Sequence, residues 1–428
     1  MKHTILSISL LSVLFWLTPV RGSEADVIAV TNLQAGVYKV DISPSIGSVM
    51  SGYRERTGPS LGLRDPLRVA VVVFDDGERK AAIIGLDVGG VPYEVSDAMR
   101  KAIVEKTGIA AESILITASH NHAAPRFNPE SDWGREAIEK SIGAAQAALR
   151  NKRPVFLGYG EAPITFNINR RLVKDGKALF QPNPEGACDR RVKVLRIDDG
   201  SGVPVAVIMH AICHANVFRG DNYYLSADFP GEAQRFIERA YDNRTQTLFL
   251  QGCAGDIRAN LPGTPSWVDP AKNAIEDSFR SGTETDMQWV GTELGSAVLR
   301  ASARSVVREE RDSRPKKYSV RPAMKSVELP GKQGTKVRFD IQAISIGDIL
   351  FLTLPGEPFQ DFGFNIEKAI GARAKTFVVG YANGFVGYIC TEESFKFEGY
   401  EPTSSRLAPE AEKIILSEIG SLARRVLQ

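Results

Sequence analysis

The chain has 428 residues, 43% of them hydrophobic, and its 53 basic side chains against 51 acidic ones give a formal net charge of +2. This near-neutral balance argues against nucleic acid as a partner, and the hydrophobic content is ample for a substantial core. The four cysteines, Cys188, Cys213, Cys253 and Cys390, are widely scattered. Their spacing specifies no disulfide framework, so bridges and buried thiols both remain open.

The amino terminus reads MKHTILSISLLSVLFWLTPVRGSEA. Lys2 supplies a positive start, Ile5 to Leu17 is apolar but too short to span a bilayer comfortably, and Ser23 and Ala25 form a small-x-small pattern. Residues 1–25 are therefore expected to be a cleaved signal peptide, and the remainder, 26–428, an exported protein, secreted or periplasmic. No later stretch is long and apolar enough to cross a membrane. The sequence leaves the oligomeric state undetermined.

Three segments share one pattern. RVAVVVF and ERKAAIIGLD flank DDG, VKVLRI and VPVAVIMH flank DDGSG, and RFDIQAISI and ILFLTLPGE flank GD. β-branched runs around an Asp/Gly turn predict three hairpins. Between and after them, KAIVEKTG, EAIEKSIGAAQAALRNK, ELGSAVLRASARSVV and PEAEKIILSEIGSLARRVL carry apolar residues at helical spacing. ESILITAS is a further short strand. The expected architecture is one large α/β domain with a mixed sheet, hairpins and flanking helices. There is no internal sequence repeat, and Val307 to Lys317 is the one plausible linker.

Each predicted strand end delivers an ionisable residue: Asp87, His120, the pair His210 and His214, and Glu357. The chain has five histidines, and apart from His3 they form two tight pairs. In an extended segment His120 and His122 point to one side, so one can bind a metal while the other handles protons. The plainer alternative is a pair of rings bonded to loop carbonyls. In MHAICHANVF one histidine is expected to be a ligand and the other packed. Two imidazoles and the carboxylate of Glu357 make a common catalytic zinc shell with room for a water, whose pKa such a metal lowers to about 7. Iron and manganese suit the same donors.

The motifs resemble those of the neutral/alkaline ceramidases, in their N-terminal catalytic domain. TASHNHAAP, FNINRR, AICHANVF, GCAGDIRAN, LPGEPF and GYANGFVGYICTEESFKFEGYE are similar to that family's blocks and occur in its order. The resemblance implies zinc held by His120, His214, Glu357 and Tyr388, His122 as acid/base, Tyr400 facing the scissile carbonyl, and Arg170 orienting the substrate. It departs from the family at Arg258, where the family has a serine sometimes proposed as a nucleophile. The chain also ends soon after the tyrosine block, so the family's further C-terminal domain is expected to be absent.

The resulting expectation is an exported zinc-dependent hydrolase of linear N-acyl amides, lipid-like or small. The alternative is a secreted binding protein that keeps the fold without the activity. Arg258 is expected near the pocket, where it would contact substrates bearing a carboxylate or phosphate. Otherwise it would point outward to an exposed acid.

Overall fold

The computed structural model describes residues 31–199, 203–263, 278–305 and 317–428. The expected signal peptide lies outside these residues, and so does the expected linker apart from Lys317. Among the described residues no helix is long and apolar enough to cross a membrane. All four cysteines are free thiols.

Three main sheets share one topology. In the first, strand Arg68–Asp75 pairs antiparallel with Lys80–Leu86, helix Tyr93–Thr107 crosses over, and Ile114–Ala118 returns parallel to Lys80–Leu86. In the second, Arg191–Asp198 and Pro204–Ala211 are antiparallel, helix Asp228–Ala240 follows, and Gln246–Gln251 returns parallel. In the third, Lys336–Ile346 and Ile349–Thr353 are antiparallel, helix Gln360–Ile370 follows, and Lys375–Val379 returns parallel. All three predicted hairpins are present. Their common continuation into a helix and a parallel strand is a structural repeat that the sequence does not display. Further strands extend each sheet at its antiparallel edge.

The three sheets face one another across a common core. Val72, Phe74, Ile83 and Leu115 of the first meet Leu195, Ile197, Ile208 and Leu250 of the second and Ile344, Phe351 and Phe377 of the third. The alternate residues point outward beneath helices. Val69, Val71 and Val73 pack under the helices Tyr93–Thr107 and Asp132–Arg150. Phe339 and Ile341 pack with Ile415 and Ile419 of helix Ala411–Val426. Two buried faces per strand explain why these runs read as almost continuously hydrophobic.

Polar clasps tie the sheets together near the carboxyl ends of their parallel strands. Gln251 of the second sheet donates to the carbonyl of Ser119, 3.1 Å away, just beyond the first. The Nε2 of His210 lies 2.9 Å from the carbonyl of Val378 in the third sheet. Asn383 accepts from Arg100 at 2.6 Å and from the Ile116 amide at 3.1 Å, and donates to Gln342 at 2.8 Å.

Asp87, one of the expected strand-end acids, turns into a separate buried network. It accepts from the Arg68 amide at 3.0 Å, and burial pushes its carboxyl up to about 7. The unfolded chain ionises this group near 3.9. The folded state therefore holds a proton that the unfolded state releases, and stability from this site is lost as pH rises from about 4 to about 7. The neutral near-isostere Asp87→Asn is expected to gain on the wild type across that interval. The gain should reach on the order of 3–4 kcal/mol, read as a widening gap between denaturation curves at pH 5 and pH 8. A gap independent of pH would show that Asp87 is ionised in the fold.

Candidate metal centre

The segment after Ile114–Ala118 bends sharply, with His120 in the left-handed region at φ 59°. This bend aims the ring back over the strand ends. The Nδ1 of His120 lies 2.6 Å from the Gly89 carbonyl. The Nδ1 of His214 lies 2.6 Å from the carbonyl of Ala254 and 3.1 Å from that of Ile257. A carbonyl can only accept, so these contacts place the ring proton on Nδ1 and leave Nε2 with its lone pair. Both Nε2 atoms face one oxygen of Glu357, at 3.2 Å from His120 and 3.1 Å from His214.

His122 joins them. Its Nε2 lies 3.1 Å from that of His120, and the ligand atoms of His120, His122 and His214 all fall within 4.8 Å of one another. Among the described residues its Nδ1 has no partner. Two imidazole nitrogens at hydrogen-bonding distance must share a proton or a cation. Burial, with His120 and His214 alongside, holds His122 well below the usual imidazole range, and His214 falls to about 3 through burial and the nearby Arg170. Burial opposes the charge on Glu357, yet the two imidazoles hold its carboxyl well below the ordinary range.

Nitrogen lone pairs and a carboxylate oxygen converging in a buried pocket, with backbone carbonyls fixing the imidazoles from behind, are a donor set that fits a transition-metal ion. The same donors accept zinc, iron and manganese.

The remaining expected residues form an adjacent wall. Backbone pairing sets Tyr388 beside Glu357, but the Tyr388 hydroxyl accepts from Nη2 of Arg170 at 2.9 Å. Tyr400 is 56% exposed and meets the Tyr388 ring edge-on at 5.6 Å. Arg258 is buried, and no exposed acid pairs with it among the described residues. The outward alternative for this side chain is thereby corrected. His210, the other member of its pair, is packed in the clasp to Val378 and stands apart from the cluster.

Several residues of the site escaped the sequence reading. Glu401 is 2% exposed and accepts from Arg170 at 2.9 Å and from Arg171 at 2.7 Å. Its place directly after Tyr400 was the available signal. Tyr381 stacks on His120 with ring centroids 4.2 Å apart. Arg56 donates to the carbonyls of Ser51 and His122 at 2.6 and 3.1 Å, pinning the loop that covers the site.

No protein-family model matches the chain. The neutral ceramidase of Mycobacterium tuberculosis is 20% identical over 458 aligned positions, covering 83% of this chain and 71% of that protein. The neutral ceramidase of Pseudomonas aeruginosa is 24% identical over 274 positions, 57% of this chain and 40% of that one. The crystal structure of the Pseudomonas aeruginosa neutral ceramidase superposes with a TM-score of 0.75 at 17% identity, over 92% of this chain and 74% of that chain. The chain thus has the α/β architecture of that enzyme. In sequence and in fold the chain is similar to the neutral ceramidases.

Gly52 tests how tightly the covering loop holds the centre. It adopts φ 98°, and a Cβ there would lie 2.8 Å from the His122 ring. Gly52→Ala combines backbone strain with this clash and is expected to cost roughly 1–3 kcal/mol while displacing His122. Unchanged melting and unchanged metal affinity in the variant would show that the loop gives way freely.

Proposed function

We propose that this chain is a metal-dependent hydrolase of linear N-acyl amides, of the ceramidase type, with zinc as its metal. The observation that carries this reading is the convergence of His120, His214 and one oxygen of Glu357, three donors that follow strands Ile114–Ala118, Pro204–Ala211 and Ile349–Thr353 of the three sheets. The relatives named above, described as neutral ceramidases, support the substrate class. His120, His214 and Glu357 would hold the ion, with Tyr388 completing the set from the neighbouring strand. When bound, the ion would polarise the amide carbonyl and make water acidic enough to react near neutral pH.

This chain's residues supply the proton handling and the orientation. His122 is neutral, because burial and its neighbours depress its pKa. Once His120 Nε2 is engaged by the ion, the single proton of neutral His122 would rest on Nδ1, and its Nε2 could accept the proton that water releases and return it to the leaving nitrogen. The exposed hydroxyl of Tyr400 would donate to the carbonyl oxygen as negative charge develops there. Arg170 is held by Glu401 and in turn fixes the Tyr388 hydroxyl, so this pair acts by positioning. The signal-peptide reading adds an exported location, secreted or periplasmic.

Two measurements test the assignment. The purified protein should carry about one zinc per chain, and His120→Ala or His214→Ala should lose most of it by elemental analysis. Full retention in both variants would refute the site. His122→Ala should lower amide turnover by roughly a hundredfold or more, the scale of a lost general acid/base, with metal content nearly unchanged. If metal and turnover disappear together, His122 is itself a ligand, as its proximity to His120 would permit.

A further inference from the structure

Among the described residues, Arg258 is a buried cation with no carboxylate partner. It lies on the short strand Ile257–Ala259, opposite Ile168 and bridged through the backbone to His214, and it is 1% exposed. Its guanidinium stands 4.4 Å from the Phe279 ring centre and 5.7 Å from that of Phe180. Nη2 donates to the Asn216 carbonyl at 3.4 Å, and among the described residues Nε has no partner. Arg170, Arg171 and Arg196 are comparably buried, and each has a carboxylate within 2.9 Å. Among the described residues Arg258 has none. Burial, with Arg219 and Arg170 close by, lowers its pKa to about 9, the direction expected for a cation whose neighbours carry the same sign. Removing such a group from water is unfavourable unless an anion meets its donors.

Its surroundings tie it to the centre on both sides. Tyr53, which shares its electrostatic environment, packs against the His122 ring at 5.0 Å. Phe180, on the other side, also lies under Arg170 at 5.0 Å and against Tyr400 at 6.2 Å. The guanidinium therefore shares Phe180 with Arg170 and Tyr400 and lies one backbone bridge from His214.

We propose that Arg258 receives a carboxylate of the substrate, so that the centre acts on N-acyl amides bearing an acid close to the scissile bond, an N-acyl amino acid being the simplest. This rests on the amide-hydrolase reading above and specifies its substrate. A planar guanidinium matches the two oxygens of a carboxylate with two parallel hydrogen bonds. A neutral head group would leave the buried donors unsatisfied, which discriminates more strongly than a missing apolar contact. Backbone adjacency to His214 limits the distance between the acid and the amide to a few bonds.

The test uses the full chain and a matched pair, N-decanoylglycine and its neutral amide N-decanoylglycinamide. Wild type is expected to favour the acid in kcat/KM by roughly tenfold to a hundredfold. Arg258→Ser and Arg258→Gln should bring the ratio close to one, and Arg258→Lys should restore part of it. N-decanoylglycine should also raise the melting temperature of wild type but not of Arg258→Ser, a readout independent of turnover. Equal use of both substrates by wild type, or a preference that survives in Arg258→Ser and Arg258→Gln, would overturn the proposal and leave the hydrolase reading intact. Stabilisation by inorganic phosphate equal to that by N-decanoylglycine would also overturn it, because the site would then be a general anion site. Hydrolysis of neither amide would sink the hydrolase reading, and the melting shift alone would then decide whether Arg258 binds carboxylate.

Discussion

A carboxylate that must stay charged where water is excluded governs the middle of this protein. Glu357 is 7% exposed, and one of its oxygens faces the Nε2 atoms of His120 and His214 together, an arrangement that is favourable only with a proton or cation held among the three. That arrangement holds only if both rings present Nε2, and they do so because carbonyls of Gly89, Ala254 and Ile257 engage Nδ1 from behind. The carbonyls in turn occupy fixed positions because they lie in the loops just beyond packed strands. Electrostatics at the centre is therefore set by backbone geometry one layer out. Arg170 and Glu401 repeat the logic alongside, a buried pair whose remaining donor is used on Tyr388.

The backbone geometry follows from three sheets built alike. Each contributes an antiparallel hairpin, a crossover helix and a parallel return, and each leaves two strand ends near the same place. Alternating side chains serve the common core on one face and the helices on the other. The polar clasps through Gln251, His210 and Asn383 stop the sheets from sliding past one another. Close-packed apolar faces specify separation well but specify sliding along the strands poorly, whereas directional hydrogen bonds at one end fix it.

Much of this was legible in the residues. The three hairpins announced themselves through β-branched runs around Asp/Gly turns, and the main helices through their apolar spacing. His120, His214 and Glu357 stood out because rare ionisable side chains fell at the ends of apolar runs. What was not legible depended on tertiary approach. The two rows of outward and inward residues in Arg68–Asp75 are both hydrophobic, so nothing in them revealed that three sheets share one core. Glu401 looks like any loop acid until Arg170 and Arg171 are brought to it from some 230 residues away. Gly52 looks like an ordinary turn glycine until the His122 ring is laid against it. His210 and His214 have equal claims in sequence, and only the strand end at Ala211 separates them, leaving the first in the sheet and the second in the turn beyond.

The wide sequence separation of these partners also orders events in time. His214 and Glu357 are 143 residues apart, and Arg170 and Glu401 are 231 apart. A nascent chain that has emerged only through its second sheet has both histidine pairs but lacks the acid that gathers them. The centre thus cannot form piecemeal as the chain emerges from a ribosome. The cluster is complete only when the third sheet has supplied Glu357.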